Sequence, residues 1–142
     1  MIGWQDLLGN GNRCFDNKDY LQAEYYYQQA QSYLDELWMQ DGKNSILLTA
    51  WIKASHRLAS LFEDQGNAQL ALAYLQLPHQ RVLTISQDQD YDEDMRLIAL
   101  SALRLTLAAL LEFAQRHPIC ENCLRQLTEL EAQISLGRPK LH

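Results

Sequence analysis

Glycine and proline are scarce, at six and three in 142 residues. A β-sandwich or a dinucleotide-binding α/β fold uses both in its many turns, so neither is expected here. Basic residues are outnumbered, 12 Lys+Arg against 18 Asp+Glu, for a formal charge of −6. Nucleic acids and anionic membranes are met by a basic footprint, which this chain does not offer. The longest greasy stretch, Leu97 to Leu111, is interrupted by Arg104 and is too short to span a bilayer. Met1 to Leu8 carries Asp6 and lacks the basic start and apolar core of a secretory signal. Together with only three cysteines, this points to a reducing cytoplasm. No Gly-rich phosphate loop, Gly-x-Ser-x-Gly or His-Glu-x-x-His is present, so no catalytic role and no cofactor are expected.

Helical periodicity is what the chain does have. Apolar residues recur at three- and four-residue spacing in six segments, 3–17, 20–40, 45–65, 68–87, 92–116 and 119–136. Short polar breaks separate them: Asn17-Lys18-Asp19, Asp41 to Asn44, Gln65-Gly66-Asn67, Asp88 to Asp94, and His117-Pro118. Connections this short force consecutive helices to run antiparallel. The expectation is one all-α domain over 1–136, in hairpins 3–40, 45–87 and 92–136, with a flexible tail at 137–142. Pro78 should kink or interrupt the fourth helix, because it lacks an N–H and clashes one turn back. The acidic run from Asp88 fails as a calcium loop, since its sixth and twelfth positions are Glu93 and Ala99.

The hairpins repeat. In the first, Gly11, Cys14 and Phe15 precede a polar turn, followed by Asp19-Tyr20, Ala23, Tyr26-Tyr27 and Ala30. The second restates the spacing with Leu58-Ala59, Phe62, Gly66-Asn67, Ala68, Ala71 and Leu75. A weaker third copy runs through Leu110-Leu111, Ala114, Pro118, Cys120, Cys123, Leu127 and Leu130. Residues 11–30 resemble the tetratricopeptide repeat (TPR), and the likeness extends over 4–36, 52–77 and 104–131. The chain departs from that family in its longer helices, in Pro78 at the place of Ala30, and in the turn of the third copy. It resembles the small uncharacterised bacterial families of that type. The resemblance implies antiparallel hairpins stacked as a right-handed superhelix of about six helices in three repeats. It also implies a concave face that binds a peptide or protein partner.

Three constellations stand out. Lys53-x-x-x-Arg57, with His56 between, puts two cations one turn apart in an acidic chain, a pair suited to a carboxylate. In TPR proteins that bind acidic C-termini a similar pair joins an Asn matched here by Asn12, although Leu8 stands where a further Lys would be. The segment 92–116 is apolar nearly all round and must be covered nearly all round, by the bundle, a partner helix or a second copy in a homodimer. Leu105 and Ala108 would face the concave side. Cys120-x-x-Cys123 has the spacing of a dithiol or half a metal site, but no paired ligands accompany it. The repeat places Cys14, Cys120 and Cys123 at packing positions, where a cysteine acts as a small hydrophobe.

Overall fold

The computed structural model describes residues 3–118 and Arg125. It is all-α. Five helices follow one another as antiparallel neighbours among these residues: α1 (Trp4–Asp16), α2 (Tyr20–Gln40), α3 (Ser45–Asp64), α4 (Ala68–Gln87) and α5 (Glu93–Arg116). Of the sixth expected segment, 119–136, all but Arg125 lies outside the described residues, as does the expected tail 137–142.

Each break acts through a specific side chain. Asp19, Asn44, Asn67 and Asp92 accept hydrogen bonds from the backbone N–H of Gln22, Ile46, Leu70 and Met95, at 3.4, 3.0, 3.2 and 2.8 Å. Such a cap contributes about 1 kcal/mol by satisfying an N–H that has no partner within the helix. The turns of the first two hairpins are built alike. Asp19 N–H reaches Cys14 C=O at 2.8 Å and Lys18 N–H reaches Phe15 C=O at 2.9 Å. Asn67 to Phe62 at 2.8 Å and Gly66 to Glu63 at 3.0 Å repeat the pattern. This is a Schellman ending, which requires a left-handed residue after the helix. Gly66, at φ 80°, takes that conformation without cost, whereas Lys18, at φ 62°, bears the strain of its Cβ.

Packing divides the chain between Tyr74 and Leu75 into two compact units. In the first unit, α2 buries Ala23, Tyr27, Ala30 and Leu34, one face at alternating three- and four-residue spacing. Gly11 lets α1 approach this face: a Cβ there would lie 2.6 Å from the Tyr27 ring. The first two turns of α4 belong to the same unit, with Tyr74 stacked on Phe62 at 5.5 Å between ring centres.

In the second unit α5 buries Met95, Ala99, Leu103, Thr106, Leu107, Leu110 and Phe113. One long face is therefore covered and another is not, since Leu97 and Leu105 are 51% and 60% exposed. By length and composition alone α5 is apolar enough to cross a membrane, a test that core helices also pass. The helix is longer than the 97–111 stretch because its N-terminus is carried back to Glu93 by the Asp92 cap. Pro78 does not interrupt α4, which runs unbroken from Ala68 to Gln87 with Pro78 buried. The carbonyl deprived of its donor is that of Tyr74, where the packing boundary falls. Burial of Leu75, Val82 and Ile85 on the same helix outweighs the single lost bond.

Candidate functional site

The first unit carries an open cavity of about 330 Å³ between α1 and the first half of α3. Trp4 and Leu8 come from α1, and Ser45, Ile46, Thr49, Ala50 and Lys53 from α3. These α3 positions recur at three and four residues, so a single helix face supplies them all. Leu8 and Ala50 form the covered part, while Ile46, Thr49 and Lys53 are exposed around the mouth. Among the described residues, Lys53 is the one charged side chain lining it. Neither an ion pair nor a hydrogen bond joins Lys53 to another described residue.

The sequence-derived site residues separate around this cavity. Lys53 lines it. Arg57, one turn further along α3, does not; its guanidinium acts instead on the Tyr27 phenol. Asn12, one turn beyond Leu8 on α1, accepts the Tyr27 hydroxyl at 2.6 Å. Burial pushes the Tyr27 pKa up to about 12; Arg57 opposes the shift, and Asp16 and Cys14 add to it. Asn12 and Arg57 thus share Tyr27 as a neighbour, at the C-terminal end of α1. His56 is half-buried, with an Nε2 atom that is shielded from water and accepts or donates no hydrogen bond. Leu105 and Ala108 are exposed on α5, in the second unit.

Trp4, Ile46 and Thr49 were not singled out by sequence reasoning. Ile46 is an apolar residue directly after the Asn44 cap and Ser45, and at 65% exposure it is wetter than a core residue would be. A start-of-helix isoleucine outside the buried stripe was the signal available.

Cys14 is a free, half-buried thiol. Cys120 and Cys123 lie outside the described residues. Among the described residues no three His, Cys, Asp or Glu side chains are grouped to hold a metal ion.

Two histidines titrate out of their usual range. Burial lowers the pKa of both His56 and His79, so each resists protonation in the folded chain. An unfolded histidine takes its proton at about pH 6.5. Their contribution to stability is whole above that value and is lost as pH falls through and below it, because acid favours the unfolded form. The midpoint of urea unfolding should therefore drop between pH 7.5 and pH 5. A flat midpoint in His56→Leu/His79→Leu, against a falling one in the wild type, is the expected contrast.

Residues 3–142 match the model of a family described as a protein of unknown function, DUF2753, and the chain belongs to that family. No curated protein and no solved structure matches the chain.

Proposed function

We propose that this DUF2753 protein is a non-enzymatic interaction module, TPR-like in design, that holds a partner peptide on the α1/α3 face of its first unit. One observation carries this reading: an apolar cavity opens there with the Lys53 cation on its rim. The protein leaves Ile46 65% exposed beside half-buried Trp4, although covering an isoleucine is worth about 1.5–3 kcal/mol. Aromatic residues with apolar neighbours in a concavity are the usual anchors of protein contacts. The turn hydrogen bonds shared by the first two hairpins support the TPR-like design, which sets the first helices of successive hairpins side by side. Asn12 and Arg57, around Tyr27, would meet the part of the peptide beyond the cavity. A cytoplasmic setting suits the free Cys14 thiol.

The test compares affinity capture from native host lysate by wild type, Ile46→Asp and Leu21→Asp. Leu21, 78% exposed on α2, is the control outside the cavity. A single protein retained by wild type and Leu21→Asp but lost from Ile46→Asp, at unchanged Tm, supports the groove. Binding that survives Ile46→Asp rules it out. Retention of only untagged copies of the same chain, abolished by Leu105→Glu, would make self-association through α5 the function instead.

A further inference from the structure

We infer that two copies of this chain meet through the bare face of α5, antiparallel and with Ser101 at the two-fold axis. The inference goes beyond the peptide-binding reading, which concerns the first unit, and does not depend on it.

At about 100° per residue, Leu97, Ser101, Leu105 and Ala108 fall within about 40° of one direction on α5. All four are exposed, Leu97 at 51% and Leu105 at 60%. The buried Ala99, Leu103, Thr106 and Leu110 lie on the opposite side of the helix. Ser101 and Ala108 are small, so a second helix can come close between the leucines.

The order of residues along this stripe says what covers it. Leu97 and Leu105 lie four residues either side of Ser101. A two-fold axis at Ser101, perpendicular to the helix, sets Leu97 of each copy beside Leu105 of the other, and Ser101 against itself. Seven residues out, Asp94 of one copy meets the small Ala108 of the other. Arg104 and Glu93 share one edge of the stripe. In this register they are about 8 Å apart along the axes, within reach of an arginine side chain. Arg104 also interacts within its own chain, and five N–H donors leave it room for a second carboxylate. A parallel pair would instead set Arg104 against Arg104 and Glu93 against Glu93, like against like. The stripe is thus complementary to its own reverse, which a partner of different sequence would not require.

One helix face supplies fewer residues than the roughly 20–30 a side of a standard interface, so the dimer is weak. Sedimentation equilibrium of the full-length protein in reductant should show monomer and dimer exchanging with a Kd of about 1–100 μM. Leu105→Glu should leave only monomer, at unchanged Tm in dilute solution, because that side chain is exposed. The Arg104–Glu93 contact occurs twice, so Arg104→Glu should weaken the dimer roughly tenfold and Arg104→Glu/Glu93→Arg should restore most of it. Ile46→Asp, at the peptide cavity, should leave it unchanged.

Register is read by disulfide formation in a Cys14→Ser/Cys120→Ser/Cys123→Ser background. Ser101→Cys should cross-link to itself, and Leu97→Cys to Leu105→Cys when the two are mixed. Leu97→Cys alone should not, since its two copies are about 12 Å apart along the axes. Sedimentation needs no cysteine replacement, so it decides even where that background does not fold. A protein that stays monomeric up to about 0.5 mM, or a dimer indifferent to Leu105→Glu, overturns the inference and leaves the face to residues 119–136 or to a different partner. Self-cross-linking of Leu97→Cys would mean a parallel pair and overturn it too.

Discussion

Gly11→Ala should destabilise the protein by about 1–3 kcal/mol, although alanine is the better helix former. The new methyl would lie 2.6 and 2.7 Å from two carbons of the Tyr27 ring. A free ring could swing away. This one is fully buried and its hydroxyl is held by Asn12 at 2.6 Å, so either α1 moves off α2 or that hydrogen bond breaks. Gly9, two residues earlier on the same helix, has nothing within 4 Å of the corresponding position. Gly9→Ala should therefore stabilise, by about 0.5–1 kcal/mol, through helix propensity alone. Urea denaturation of both variants reads out two opposite signs from one substitution type. Equal effects would mean that α1 does not lie against Tyr27 as described. Tyr27→Phe in the Gly11→Ala background should recover part of the loss, because the ring is then free to tilt.

The same contact shows why much of the fold was legible. Gly11, Ala23, Tyr27 and Ala30 are spaced as two helices in close antiparallel contact must be, and Ala23, Tyr27 and Ala30 are fully buried. The helix starts were legible because Asp19, Asn44, Asn67 and Asp92 are side chains that cap, placed where an apolar period begins. The repeated hairpin turn was legible because a left-handed residue there is met by Gly66 or tolerated by Lys18, next to a capping Asn or Asp. Of the two outcomes expected at Pro78, a kink or an interruption, the interruption does not occur: α4 runs on from Ala68 to Gln87, and burial on both sides of the proline outweighs the lost hydrogen bond.

The candidate site was only half legible. Lys53 and Arg57 are four residues apart and share a helix face to within about 40°, which is enough to place both near a groove. It is not enough to place both in it: Lys53 reaches the cavity and Arg57 is beside Tyr27. Trp4 and Ile46 were illegible because periodicity reports which residues a core covers. An exposed apolar residue on the rim of a cavity looks, in sequence, like a surface accident.

Thr106→Val should cost about 1–3 kcal/mol, a large effect for exchanging a hydroxyl with a methyl of similar size. Thr106 is fully buried on α5, and its hydroxyl donates to the Leu103 carbonyl at 3.1 Å. Its only proton is thus engaged, and its oxygen accepts from Nδ1–H of buried His79 on α4 at 2.9 Å. Valine would leave that N–H without a partner in a site where burial already keeps the ring neutral. Removing both polar groups should be milder than removing one. His79→Leu/Thr106→Val is expected to recover most of the loss, since two apolar side chains of matching size leave nothing unsatisfied. The double variant should also lose the share of acid sensitivity that comes from His79, because no ring remains to take a proton below about pH 6.5. Urea midpoints at pH 7.5 and pH 5 for the wild type, both single variants and the double measure both effects. A double variant as unstable as the sum of the singles would show that His79 and Thr106 act independently, and that their hydrogen bond does not hold α4 to α5 in the second unit.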